Sequence, residues 1–436
     1  MSPISHTKWT IVLLVPSTLA IFISVASLLL STLAFAEEPI SERRSFGILY
    51  TVWIRPEDKS ATVKIRLSKH PEWVRWMRLY IDSDRYSDFL TSGEISVEGD
   101  EAIWKPPQED AWLQYRVELE SKRPGGRYDG YVTADWALLR ADDLVPPIRS
   151  DIEDMTQSQA KLQFMLPEGW SVATSYPRYR SGRFKVDDPD RLVDRPTGWL
   201  VMGKIGTMRE HIGESHVAVS APVGQGVKRM DILSFFRWTV PTMQEIFPRF
   251  PKRLLVVSAG DPMWRGALSG PRSLFVHTDR PLVSNNATST YIHELVHVAM
   301  SARSGPQADW IVEGLAEYYS LEVLRRSGTI SEERFEKAHA KLAEWGEDVT
   351  DLEVDRSHGP ITARAVGRLR QIDRDIRSRS NGTRSLDDVV RALAADNSRV
   401  TRQRFEELVE SASQAGSNHE NGTDKLKTHN STPTIE

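Results

Sequence analysis

The sequence predicts an α+β protein, with a strand-rich N-terminal part followed by a helix-rich C-terminal part. Three observations carry that prediction. From Phe46 to about Gln225, short runs of alternating or β-branched apolar residues lie between turn clusters. Near Gly224 the apolar period changes from that of a strand to that of a helix. Beyond this point, Ser, Thr and Asp stand where helix starts are expected, and Gly or Pro where helices stop.

The strand-rich part contains runs such as Phe46–Ile54, Ala61–Leu67 and Tyr115–Leu119. Its punctuation includes Pro106-Pro107, Pro124-Gly125-Gly126 and Pro146-Pro147. A β-sandwich-like domain over 37–225 is the expectation. After it come a helix over Met230–Phe247 ended by Pro248, a buried strand Arg253–Ser258 and a second strand Ser273–His277. A helix is expected over Thr290–Arg303, capped by Ser289 or Thr290 and stopped by Gly305-Pro306. Another follows over Asp309–Arg326, ending at Gly328. These elements form a second expected domain over 226–328. Ser331–Trp345, Ile361–Arg379, Ser385–Ala395 and Thr401–Ser411 read helical and define a helical domain over 329–412. Segment 413–436 is polar and expected to be disordered.

The N-terminus has a different character. Lys8 precedes an apolar run from Trp9 to Phe35, which ends Ala34-Phe35-Ala36 before Glu37-Glu38. Small residues at those two positions suit a signal peptidase, so 1–36 reads as a signal peptide. The run is also long enough to be an uncleaved anchor giving membrane association. Both readings place the remainder outside the cytoplasm, periplasmic or secreted, or held at the membrane. The chain has no cysteine, which excludes disulfides, thiol nucleophiles and iron–sulfur clusters. Its formal net charge is -4, with no basic tract, so no nucleic-acid partner is expected.

The chemistry concentrates in His293-Glu294-Leu295-Val296-His297. On a helix, residues four apart share a face, so both imidazoles can reach one Zn²⁺ at about 2.0–2.1 Å. Glu294 is rotated by roughly 100° from His293, where it can act as base on a metal-bound water. An accidental match on an amphipathic helix is the alternative. A catalytic zinc needs a third ligand and an open position. Glu313, in Trp310-Ile311-Val312-Glu313-Gly314-Leu315-Ala316-Glu317, supplies the ligand at the start of the next helix. Glu317, one turn on, is either a hydrogen-bond acceptor for a ligand His or a solvated acid of the helix face.

His293–His297 followed by Val312-Glu313-Gly314-Leu315 resembles the gluzincins, and within them the glycyl aminopeptidase group, relatives of the large zinc aminopeptidases. Leu166-Pro167-Glu168-Gly169-Trp170, Leu192-Val193-Asp194-Arg195-Pro196, Ile372–Arg377 and Ser385–Val389 add to the likeness. The resemblance implies an N-terminal β domain, a thermolysin-like catalytic domain, a C-terminal α-helical domain, a Zn²⁺ cofactor and a peptide or protein substrate. The chain departs from the family at three points. The gap between His297 and Glu313 is shorter than in the large aminopeptidases. Gly266-Ala267-Leu268-Ser269-Gly270 has no carboxylate where the family holds a substrate amine. Thr362 falls where a Tyr steadies the oxyanion, and nearby His358 is either a substitute donor or a surface histidine.

An exported zinc metallopeptidase is therefore expected, with endopeptidase or relaxed specificity and with Ser273–His277 as an edge strand for an extended substrate. A zinc-binding pseudopeptidase acting as an envelope binding or scaffolding protein is the alternative. A membrane-anchored structural protein of the envelope would leave the metal constellation unexplained.

Overall fold

The computed structural model describes residues 44–188, 191–396 and 398–414. The expected signal peptide or anchor over 1–36 lies outside the described residues, as does 415–436. No helix among the described residues is long and apolar enough to cross a membrane.

The N-terminal part is all strand apart from short turns of helix. A long hairpin, Arg44–Arg55 with Ser60–Lys69, lies within a six-stranded sheet. Along it Tyr50, Val52, Val63 and Ile65 alternate inward and are completely buried, as a strand with one buried face requires. A four-stranded sheet and a five-stranded sheet add residues to the same core. The five-stranded sheet contains β1 (Trp136–Arg140) paired antiparallel with β2 (Trp199–Gly203).

A second five-stranded sheet lies under the helix-rich part. Its strands are β3 (Ile205–Ile212), β4 (Ser215–Pro222), β5 (Arg253–Ala259), β6 (Ala267–Gly270) and β7 (Ser273–His277), in the order β3-β4-β5-β7-β6. β4, β5 and β7 run parallel, while the outer strands β3 and β6 are antiparallel to their neighbours. Two expectations are corrected here. Residue 225 is not the boundary, because β3 and β4 belong to this second sheet. β7 is not an edge, because β5 and β6 occupy both of its sides; the free edge belongs to β6.

Among the described residues, α1 (Arg229–Ile246) connects β4 to β5, and six helices follow β7: α2 (Thr290–Met300), α3 (Asp309–Arg326), α4 (Glu332–Trp345), α5 (Gly359–Arg379), α6 (Leu386–Ala395) and α7 (Arg402–Gln414). One continuous core runs from Ile212 through α3 to Ala412, so the expected division at 328 does not separate two cores. α7 also extends to Gln414, into the segment expected to be tail. α2 stops at Met300 rather than Arg303. Ser301 adopts a left-handed conformation there, and Arg303–Ser304 pairs with Arg399–Val400. The backbone groups of Arg303 and Ser304 thus bond a distant segment, and a further helical turn would leave them without that partner.

On the face of β5 and β7 away from the helices, Leu255, Val257 and Phe275 pack against Trp136, Leu138, Trp199 and Val201 of β1 and β2. This contact brings the end of β1 beside β6.

Candidate metal centre

α2 begins where the sequence suggests. Ser289 is extended, and its side chain accepts a hydrogen bond from the Ile292 N–H, which satisfies one of the free donors at a helix start. Ile292, Leu295, Val296 and Ala299 face the core and are almost wholly buried. Each of the larger side chains contributes about 1.5–3 kcal/mol by leaving water. With that stripe inward, His293 and His297 share the remaining face, half-buried. Their ring centroids lie 4.9 Å apart.

α3 is buried on nearly every side, from Trp310 to Leu324. Charged groups on such a helix are costly unless paired. Glu313 and Glu317 both point at α2. His293 Nε2 lies 3.5 Å from Glu313 Oε2, and His297 Nε2 lies 3.5 Å from Glu313 Oε1. The two Nε2 atoms are 3.2 Å apart. On its other side, His293 Nδ1 is 2.9 Å from Glu317 Oε2. A carboxylate accepts, so Nδ1 donates to Glu317 and the ring presents Nε2 to Glu313.

The position of α3 depends on residues that the motif does not show. Ser320, fully buried, accepts from the Ser289 N–H and donates to the Ser289 carbonyl, each at 3.2 Å. This reciprocal pair ties the first turn of α2 to α3. Gly314 allows α5 to pack against α3: a Cβ there would stand 2.8 Å from Ala365 Cβ. On the far side of α3, Arg326 bridges Glu322 and Asp387, and Tyr319 donates to Asp387. A small polar residue between Tyr319 and Leu321 is the sequence signal for Ser320, and it is a faint one.

Do these residues fit a metal ion? The donor atoms of His293, His297 and Glu313 all lie within 4.8 Å of one another. Ligands at zinc's usual bond lengths in a tetrahedron stand about 3.3–3.5 Å apart, and the observed 3.2, 3.5 and 3.5 Å match that spacing. Charge points the same way. Glu294, Glu313 and Glu317 place three carboxyl groups around two imidazoles, and no Lys or Arg pairs with them among the described residues. Burial pulls the His293 imidazole toward the neutral form. The contacts with Glu313 and Glu317 outweigh it and hold its pKa well above the usual value. Burial likewise raises Glu313, but the two imidazoles reverse this and hold it well below the ordinary carboxylate range. A divalent cation would satisfy the same donors.

Glu294 is nearly buried on the same turn as His293, and no Lys or Arg neutralises it among the described residues. The two candidate oxyanion contacts are less closely tied to the cluster. His358 is exposed and stands as the N-cap residue of α5 without a side-chain cap bond. Thr362 is half-buried one turn before Ala365. Neither hydrogen-bonds to the cluster among the described residues.

β6 packs against α2, the helix that carries His293 and His297, and Ala267 belongs to the same core as Tyr291, Ile292 and Leu295. His277 N–H bonds to Gly266 O at 3.0 Å. Opposed residues of an antiparallel pair alternate inward and outward, so Ala267 and Ser269 turn their N–H and C=O groups out of the sheet. Among the described residues, the N–H and C=O of Ala267 and the N–H of Ser269 meet no partner.

No family model and no curated protein matches the sequence. Among solved structures, the fold is similar to that of an aminopeptidase N family protein from Idiomarina loihiensis. The TM-score is 0.61 at 14% identity, over 88% of this chain and 74% of that one. The likeness supports the mixed α+β architecture.

Proposed function

We propose that the chain is an exported zinc metallopeptidase that hydrolyses peptide bonds. The observation that carries this reading is the triangle of His293, His297 and Glu313 at tetrahedral spacing, with Glu294 on the adjoining position of the same helix. The similar fold in an aminopeptidase N family protein supports it. Zinc, when bound by the three residues, supplies Lewis acidity for a carbonyl. Glu294 takes a proton from the attacking water and returns it to the leaving amine. Glu317 keeps the His293 ring in one tautomer and one orientation. The outward groups of Ala267 and Ser269 can bond the main chain of an extended peptide beside α2, as added strands do on sheet edges.

A free substrate amine has no acid to meet on β6, where Ser269 and Gly270 stand. Internal cleavage follows, and the test is a matched set of peptides with free and acetylated N-termini. Both forms are expected to be cut at internal bonds. Stepwise trimming of only the free-amine peptides would make the chain an aminopeptidase. Zinc binding with no cleavage of either would favour the pseudopeptidase.

Export belongs to the same proposal and rests on the Ala34-Phe35-Ala36 ending of the apolar run. N-terminal sequencing of protein from the soluble envelope fraction is expected to begin at Glu37. Retention of Lys8 in membrane pellets would instead establish an anchor.

A further inference from the structure

The free edge of β6 ends at a cation contributed by the N-terminal β part. Arg140 closes β1, opposite Trp199 of β2, and its guanidinium carbon lies 5.6 Å over the Trp199 ring. From there Nη1 donates to Ser269 O at 3.3 Å. That carbonyl is the fourth outward group of the edge, the one that Ala267 and the Ser269 N–H leave to be filled. Arg140 therefore stands in the path of any strand laid along β6.

The charge of Arg140 is incompletely balanced. Its nearest carboxylate is Asp142, whose Oδ2 is 3.5 Å from Arg140 Nη2. Asp142 also faces Arg195 at 3.3 Å and accepts the Gly198 N–H. Asp143 also feels the Arg140 charge but is paired with Arg85, so two carboxylates serve three guanidinium groups and the excess is positive. The Arg140 side chain remains about one-third open, at 31%. It keeps donors beyond the single one given to Ser269.

We propose that Arg140 is a specificity-determining residue, reading a carboxylate on the peptide where the substrate strand passes Ser269. The preferred substrates are acidic peptides, bearing Asp, Glu or a terminal carboxylate at that position. This inference rests on the peptidase reading above. A guanidinium fork and a carboxylate form the stronger class of hydrogen bond. In a half-open groove, the preference for Glu over Gln is expected to be about tenfold in kcat/KM.

The test uses internally quenched peptides of one sequence, carrying Glu, Gln or Lys at each position near the cleaved bond. Each is made with a free and with an amidated C-terminus. The zinc-loaded protein is compared with Arg140→Ala, Arg140→Glu and Arg140→Lys, each first checked for an unchanged melting profile. The Glu:Gln ratio should collapse toward one in Arg140→Ala, turn toward Lys peptides in Arg140→Glu, and persist in part in Arg140→Lys. If amidation lowers cleavage whichever side chain is present, and Arg140→Ala removes that difference, the carboxylate being read is the terminal one. A residue that only staples β1 to β6 would leave the ratio untouched in these variants, and that result overturns the proposal.

Binding of the same peptides to zinc-loaded Glu294→Gln protein, measured by calorimetry, separates the two readings. Cleavage with an Arg140-independent ratio rejects the specificity role and leaves the peptidase standing. Arg140-dependent binding of Glu peptides that no wild-type preparation cleaves rejects the peptidase and leaves acidic recognition standing. Neither cleavage nor binding rejects both.

Discussion

Glu294→Gln protein is expected to hold zinc at the wild-type level, melt at the wild-type temperature and hydrolyse peptides about 10²–10⁴-fold more slowly. The amide keeps the shape of the side chain but cannot accept the proton of water. Glu294 is not one of the three groups whose donor atoms converge, so metal content should not follow it. Nor does it hold the fold together through an ion pair, since no Lys or Arg partner reaches it among the described residues. Metal analysis and kcat/KM on one preparation decide the matter. A metal-free Glu294→Gln protein would make Glu294 a ligand. Full activity in the zinc-loaded variant would leave the base to be found elsewhere.

Removal of a ligand should have the opposite signature. His293→Ala, His297→Ala and Glu313→Ala are each expected to lose stoichiometric zinc on dialysis, because two remaining donors cannot complete a catalytic site. Glu317→Gln is expected to weaken zinc binding by only about 10–100-fold, the usual effect of a residue that orients a ligand histidine. Competition against a chelator gives the order directly. Unchanged zinc in Glu313→Ala would move the third ligand elsewhere, with Glu317 the first alternative.

Much of the site is local. Four-residue spacing places His293 and His297 on one face of a helix, and Ser289 caps that helix through its own side chain. Glu313 and Glu317 share a face of α3 for the same reason, so a short connection between two helices leaves few ways to arrange the four. The change of apolar period near Gly224 marks the start of the first long helix, α1, because period follows from backbone geometry alone.

What lay beyond the sequence was partner choice. Ser273–His277 reads as a strand, but nothing in its residues says that β5 and β6 take both of its sides. Ile205–Pro222 reads as more of the β domain. Only the parallel pairing of β4 with β5, joined through α1, assigns that hairpin to the sheet beneath the metal helix. The end of α2 was decided by Arg399–Val400, far along the chain, and the occupant of the Ser269 carbonyl by Arg140, 129 residues before it. Element type is set by dihedral preference and side-chain period within a few residues. Edges, neighbours and the guanidinium at the end of the groove depend on which surfaces bury one another, and only the tertiary structure decides that.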